Sequence, residues 1–376
     1  MSEYQYYEFQ TLDRPLTGPE QAEINRLSSR VQLTATRAIF VYNYSDFRSN
    51  PRQVLTQYFD AMLYLTNWGT RQVMFRFPKN SIPAEVMSAY QYDSGLEWSM
   101  ADDYIVLNIE LNNEGGDGEW LEGEGTLSGL VQVRDDILQG DYRALYLAWL
   151  MATEYALEDL EDEQEDEDDL TEPPVPPNLK TLSPPLRNFI DFFGIDPDLV
   201  TAAAQTSPSA EKSDPKLSKN IDLLTEAEKR DFLQRLLDGE PRLNIALINR
   251  LRALSGADAP GLPAGGRRTL TQLATLADEI TQQQIAAEKQ KSEKARLQKL
   301  VSLAPQEAGL WAKIPGLIAE KRANTYEEAV NILKDLRDLL THHGRATEFQ
   351  TKLAAIRAQY PTLTSFHRRL KENNLA

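Results

Sequence analysis

The chain has no cysteine among its 376 residues. That removes disulfides, thiolate metal sites and thiol nucleophiles together. Histidine is almost as scarce: His342, His343 and His367 lie near the C-terminal end. None has an acid at a metal-binding spacing, so they read as helix-end or surface residues, where positive charge at a helix C-terminus is favourable. No apolar run approaches the roughly 20 residues needed to cross a bilayer. Met1-Ser2-Glu3-Tyr4-Gln5 has neither the basic region nor the apolar core of a signal peptide. We therefore expect a cytoplasmic protein with no membrane contact. No glycine cradle of the P-loop or dinucleotide type occurs, and no catalytic constellation is recognisable, so no cofactor is expected.

Bases are short in one half of the chain. Residues 1–172 hold 11 Lys+Arg against 33 Asp+Glu, a net of −22, while 173–376 hold 29 against 24. With a total of −17, net charge does not draw the whole molecule to nucleic acid.

What divides these compositions is a charge run. From Glu154 to Glu172 there are twelve acids and no base, followed by Pro173, Pro174, Pro176, Pro177, Pro184 and Pro185. The acids repel one another, and proline lacks an amide donor and biases its predecessor toward extended backbone. Residues 157–186 read as a solvated, semi-stiff spacer. It separates an α+β domain over 1–156 from a helical domain over 187–260 and a long helix with a C-terminal helical domain over 267–376.

In the first domain Tyr4, Tyr6 and Phe9 alternate with Gln5 and Glu8, apart from an extra aromatic at Tyr7, and predict a strand. Gly18–Arg30 reads as a short helix, and Ile39 to Tyr42 as a strand buried on both faces. A second helix opens near Pro51, with Val54, Leu55, Tyr58, Phe59, Met62 and Leu63 at helical spacing up to Trp68-Gly69. Alternation returns at Val73, Phe75 and Phe77, and again at Ile105, Leu107, Ile109 and Leu111. Two helical pieces between Leu127 and Tyr155 split near Gly140-Asp141. The order is that of a mixed sheet with packed helices; the strand order is left open. The loop Asn112–Gly125 sets Glu114, Asp117, Glu119, Glu122 and Glu124 among glycines. Its spacing is not that of a helix-loop-helix calcium site, and it reads as a solvated connection.

In the second half, Leu186–Phe193 and Asp198–Ala204 read as short helices and Ser207–Ser218 as a polar connector. Thr225 with Glu228 has the form of a capping box. Phe232, Leu233, Leu236 and Leu237 form that helix's apolar face, and Leu243 to Leu254 a second helix completing a hairpin. After a Gly/Ala/Pro hinge over Gly256–Gly266, a longer helix starts near Thr269. Its stripe Leu270, Leu273, Leu276, Ile280 fades beyond Ile285 into charge, as expected of a solvent-exposed helix or one bridging two packed regions. Tyr326, Ala329, Val330, Leu333, Leu336 and Leu340 are strongly amphipathic, and Phe349, Leu353 and Ile356 repeat the pattern.

The run Leu224-Thr225-Glu226-Ala227-Glu228-Lys229, then Arg235 to Glu240, Tyr326 to Val330, Leu333 to Leu339 and Ser365 to Leu370, resembles the C-terminal region of bacterial proteins found with SWIM zinc fingers. Tyr4 to Phe9 with Trp68-Gly69-Thr70-Arg71 resembles an uncharacterised bacterial family carrying the same tail. The resemblance implies no activity, and without cysteine the zinc site does not transfer.

Three functions are weighed. The first is a non-catalytic interaction or scaffold protein whose helical tail binds a protein partner. The second is a nucleic-acid-associated protein, with Lys289, Lys291, Lys294, Arg296, Lys299, Arg345, Lys352, Arg357, Arg368, Arg369 and Lys371 touching phosphates. No stacking platform or helix-turn-helix signature accompanies those bases. The third is a divalent-cation-dependent hydrolase using the acids of the Asn112–Gly125 loop. The first is expected.

Overall fold

Alternating segments of the N-terminal half pair into one antiparallel sheet in a computed structural model, which describes residues 4–79, 81–92, 95–112, 123–162, 170–209, 217–240, 243–255, 262 and 268–375. The chain runs β1 (Gln5–Gln10), α1 (Gly18–Leu27), β2 (Gln32–Leu33), β3 (Arg37–Tyr42), α2 (Pro51–Tyr58), β4 (Ala61–Thr66), β5 (Arg71–Pro78), α3 (Ala84–Tyr90), β6 (Leu96–Ala101) and β7 (Tyr104–Leu111). Helices follow: α4 (Thr126–Leu130), α5 (Gln132–Leu138), α6 (Arg143–Asp162), α7 (Pro184–Phe193), α8 (Pro197–Ala204), α9 (Glu226–Leu237), α10 (Leu243–Ser255), α11 (Leu270–Leu303), α12 (Glu307–Ala319), α13 (Ala323–His342), α14 (Ala346–Gln359) and α15 (Thr364–Glu372). An α+β N-terminal region is thus followed by an all-helical one containing a 34-residue helix.

The sheet order is β2-β3-β1-β4-β5-β7-β6. Register places Tyr7 beside Tyr64, Leu63 beside Val73, and Val73 beside Ile109. Side chains alternate across the pleat, so each strand feeds two cores. Leu63, Leu65, Val73, Phe75, Phe77, Leu107 and Ile109 pack on one face with residues of α3 to α8 and the first turns of α11. Phe9, Phe40, Met62, Met74 and Val106 pack on the other with Ile24 of α1 and Val54 and Leu55 of α2.

This two-sided burial corrects one expectation. The helix from Pro51 stops at Tyr58, and Ala61–Thr66 is a strand. Met62 and Leu63 point to opposite faces of the sheet, and both are fully buried. An apolar run serving two faces has no period of two to display, and it mimics helical spacing. Asp60 marks the change of structure, because its buried carboxylate accepts the Leu12 and Asp13 amides at 2.6 and 2.9 Å.

The proline stretch also behaves differently from a spacer. Val175, Leu179 and Leu186 are buried in the same core as α6, and Tyr90 donates its hydroxyl to the Pro174 carbonyl at 2.7 Å. Proline has no amide hydrogen to leave unsatisfied, so an extended proline segment can lie on an apolar surface at little polar cost. Of the acidic part, 157–162 continue α6 and 163–169 lie outside the described residues.

The chain divides into two units, Met1–Thr281 and Gln282–Ala376, with the boundary inside α11. Leu270, Leu273 and Ala277 belong to the first unit's core and Leu300 to the second's; between them 282–299 are exposed throughout, as the fading stripe predicts. The second unit is built on α13, whose Tyr326, Ala329, Val330, Leu333, Leu336 and Leu340 are all buried. Phe349, Leu353 and Ile356 of α14, Phe366 and Leu370 of α15, and Ile314, Leu317 and Ile318 of α12 close that core. Among the described residues no helix is long and apolar enough to cross a membrane.

Candidate interaction surfaces

The eleven bases singled out in the sequence all lie in the second unit, and most are held by acids. Lys291 meets Glu288 at 3.5 Å and Arg296 meets Glu293 at 3.6 Å on α11, while Lys299 reaches Asp335 of α13 at 2.5 Å. Arg345 bridges Glu307 and Glu348, both at 2.8 Å, and Lys352 joins Glu348 at 2.9 Å. The hydrogen bonds from Arg345 and Lys352 hold the Glu348 carboxyl down at about 2. Lys352 also lies over the Trp311 ring at 5.1 Å, so this group ties α12 to α14. Arg368 meets Glu372 at 3.6 Å and Arg369 meets Glu327 at 3.9 Å. Lys289, Lys294, Arg357 and Lys371 form no ion pair among the described residues. Seven of the eleven have a carboxylate neighbour.

Three buried charge networks hold the first unit together. Arg134, with a side chain only 1% exposed, grips both Asp13 oxygens at 3.0 and 2.9 Å and donates to the Arg76 carbonyl. Arg76 in turn pairs with Asp60 at 2.7 Å. Glu8, wholly buried, accepts from Tyr6, Gln10 and Arg37 at 2.8, 2.7 and 2.7 Å. Glu172 accepts from Arg268 and from the Tyr146 hydroxyl. Each carboxylate is answered by at least one arginine from another element, as a structural network requires. A further polar strip on the sheet, Gln72 with Asn108 and Glu110 on β5 and β7, hydrogen-bonds within itself at 2.9 Å.

The helix α9 is different in kind. Its start is fixed by the expected capping box: Thr225 Oγ1 accepts the Glu228 amide at 3.3 Å, and Glu228 Oε2 accepts the Thr225 amide at 2.8 Å. The Thr225 amide and hydroxyl, each donating to Oε2 at 2.8 Å, with the Arg250 guanidinium of α10 at 2.7 Å, bring the Glu228 carboxyl down to about 2. Its end is a Schellman turn, with Gly239 in the left-handed region at φ 70°, the Glu240 amide on the Arg235 carbonyl at 2.9 Å and the Gly239 amide on Leu236 at 3.2 Å. Arg235 then clasps the Glu240 carboxylate with two bonds of 2.6 Å.

With both ends locked, α9 still buries no residue. Glu228, Phe232 and Arg235 share the side toward α10, where Arg250 sits. At about 100° per residue, Glu226, Arg230, Leu233 and Leu237 lie opposite. Leu233, Leu236 and Leu237 are 61, 63 and 82% exposed. Nearby, Ile221 and Leu223 are also exposed, at 44 and 48%. The sequence identified these apolar positions and placed them in a hairpin, where Phe232 is half-buried on the α10 side while Leu233, Leu236 and Leu237 stay exposed. The readable signal is the punctuation: polar and Gly/Pro-rich connectors flank Leu217–Ser255, and among the described residues α9 packs chiefly against α10.

His342 and His343 end α13, exposed, and His367 bonds the Tyr360 carbonyl at 2.8 Å. Among the described residues no three His, Asp or Glu side chains cluster as metal ligands. Of the loop acids, Glu114, Asp117, Glu119 and Glu122 lie outside the described residues. Comparison with protein-family models, with curated proteins and with solved structures finds no match to this chain.

Proposed function

We propose that the chain is a non-catalytic cytoplasmic interaction protein that makes its contact through α9. The observation that carries this reading is the trio Leu233, Leu236 and Leu237, exposed on a helix whose two ends are capped and whose other side is ion-paired to α10. Scattered exposed leucines are ordinary, but adjacent ones on a rigid helix face form an anchor of the kind that helix-in-groove and helix-on-helix recognition uses. The bases of the second unit support a phosphate-binding role less well, because most are already neutralised by neighbouring acids. The test is a photo-cross-linking amino acid in place of Gln234, on the exposed side of α9, in the full chain within its native cells. A specific adduct that disappears when Leu233→Glu and Leu237→Glu are added supports the reading. No adduct, or one indifferent to those substitutions, overturns it.

A further inference from the structure

We infer that the outer edge of β6 binds a basic, extended segment of another protein as an added antiparallel strand. This surface belongs to the sheet of the first unit and stands apart from the contact role proposed for α9.

β6 ends the seven-stranded sheet, so one side of its backbone has no strand beside it. The register fixes which groups face outward. Ala101 and Tyr104 close the two-residue turn Asp102-Asp103, and Ser99 opposite Val106 and Glu97 opposite Asn108 carry the remaining bonds to β7. The alternate residues Leu96, Trp98 and Met100 therefore turn their amides and carbonyls away from β7. Leu96 bears this out, because Tyr92 takes both its amide and its carbonyl at 2.9 Å. No neighbour among the described residues takes the corresponding groups of Trp98 and Met100. These two residues lie roughly 7 Å apart, and an extended chain presents donors and acceptors at that spacing. The edge also lacks the usual protections: there is no proline or lysine from Leu96 to Ala101, and the pairing with β7 has no bulge.

Charge selects the kind of strand. Glu97, Asp102 and Asp103 are exposed and form no ion pair among the described residues. Lys79, whose amide bonds the Asp103 carbonyl at 2.8 Å, pairs with neither aspartate. A second copy of the chain fits badly. Two β6 edges that satisfied all four groups would set Trp98 opposite Met100 of the partner subunit, and would bring Glu97 next to Asp102 of the partner subunit at both ends. A strand with a base opposite Glu97 and another at the aspartate turn is complementary at both. Between those bases, apolar side chains would lie beside Trp98, which packs on Phe77, and Met100, which is 56% exposed. Four backbone bonds and two surface ion pairs make a weak site, with a Kd on the order of 1 mM for a short peptide.

The test is a nuclear magnetic resonance titration of the full chain labelled with nitrogen-15 at tryptophan, following the Trp98 amide, which is assigned by its loss in Trp98→Phe. The probe is the capped peptide Lys-Thr-Val-Thr-Val-Lys, whose valines fall opposite Met100 and Trp98. A saturable downfield shift of that amide is expected. The same peptide N-methylated at both valines should give none, and Glu-Thr-Val-Thr-Val-Glu should bind at least fivefold more weakly. Glu97→Lys with Asp103→Lys, at exposed positions, should reverse that preference. Met100→Pro should keep the fold, because the amide it removes makes no bond to β7, and should weaken the Lys peptide at least fivefold. No shift at about 5 mM peptide, an equal response to the N-methylated peptide, or equal affinity for the two charged peptides overturns the inference. None of these outcomes bears on α9, since Leu237→Glu should leave the titration unchanged.

Discussion

Arg268 holds Glu172 across 96 residues of sequence, its Nε donating to Oε2 at 2.9 Å while Nη1 reaches the Ala202 carbonyl at 2.8 Å. The backbones are fastened alongside, with the Glu172 amide on the Arg268 carbonyl at 2.9 Å and the Leu270 amide on the Leu170 carbonyl at 2.8 Å. The last acid of the acidic run is thereby anchored to the start of α11. Glu172 is 3% exposed and cannot turn to water if its cation is lost.

Arg268→Met should therefore destabilise the first unit by about 3–5 kcal/mol, the cost of leaving a buried charge unpaired. The double variant Arg268→Met with Glu172→Gln should recover part of that loss. Urea unfolding of the full chain, followed by tryptophan fluorescence, measures both.

Acid should act on Asp60. Burial raises this carboxyl, but Arg134, Arg76 and the amides of Asp13 and Leu12 outweigh it and hold the group below its ordinary value. A depressed folded value means the stabilisation is complete above the unfolded value near 3.8 and is lost as pH falls toward the folded one. Asp60→Asn should be less stable than the parent by about 3 kcal/mol at neutral pH, with the difference shrinking below about pH 4. Thermal melts at a series of pH values give the comparison.

Gly123 lies against Tyr6, and a Cβ there would come within 2.5 to 2.7 Å of three ring atoms. Tyr6 is pinned through its hydroxyl to buried Glu8, so the ring has little room to retreat. Gly123→Ala should cost about 1–3 kcal/mol, while Gly18→Ala, with nothing within 4 Å of its Cβ, should not show this overpacking loss. Melting temperatures of the two variants separate the cases.

The second unit should ignore generic nucleic acid at physiological salt. Its bases are interleaved with Glu288, Glu293, Glu307, Asp335 and Glu348, so few counterions would be released on contact with phosphates. Fluorescence anisotropy with a single-stranded oligonucleotide should give a Kd of about 100 µM or weaker at 150 mM salt.

Much of the fold was legible because one period dominated locally. Val73, Phe75 and Phe77 alternate as a strand must, and Tyr326 to Leu340 repeat as a helix must. Legibility failed where burial erased the period, as at Met62 and Leu63, which are both buried on opposite faces. It failed at α12, where Gly309, Pro315 and Gly316 depress helix propensity and tertiary packing of Ile314 and Ile318 overrides them. It failed at Glu172, whose burial depends on an arginine 96 positions away. The capping box of α9 was readable because Thr225 and Glu228 are close in sequence. The exposure of Leu233 and Leu237 was not, because periodicity tells which face is apolar and is silent on what covers it.

The role of α9 depends on those leucines contributing little to the folded monomer, and the most direct measurement is the unfolding free energy of Leu233→Ala, Leu236→Ala and Leu237→Ala combined, at dilution where the chain is monomeric. The combined variant should lie within about 0.5 kcal/mol per site of the parent, as surface substitutions do. Leu333→Ala in the second core, fully buried, should cost 2–5 kcal/mol in the same assay as a control. A loss of core magnitude from the α9 variant would mean that its leucines are covered in the monomer and would contradict their role as a contact surface.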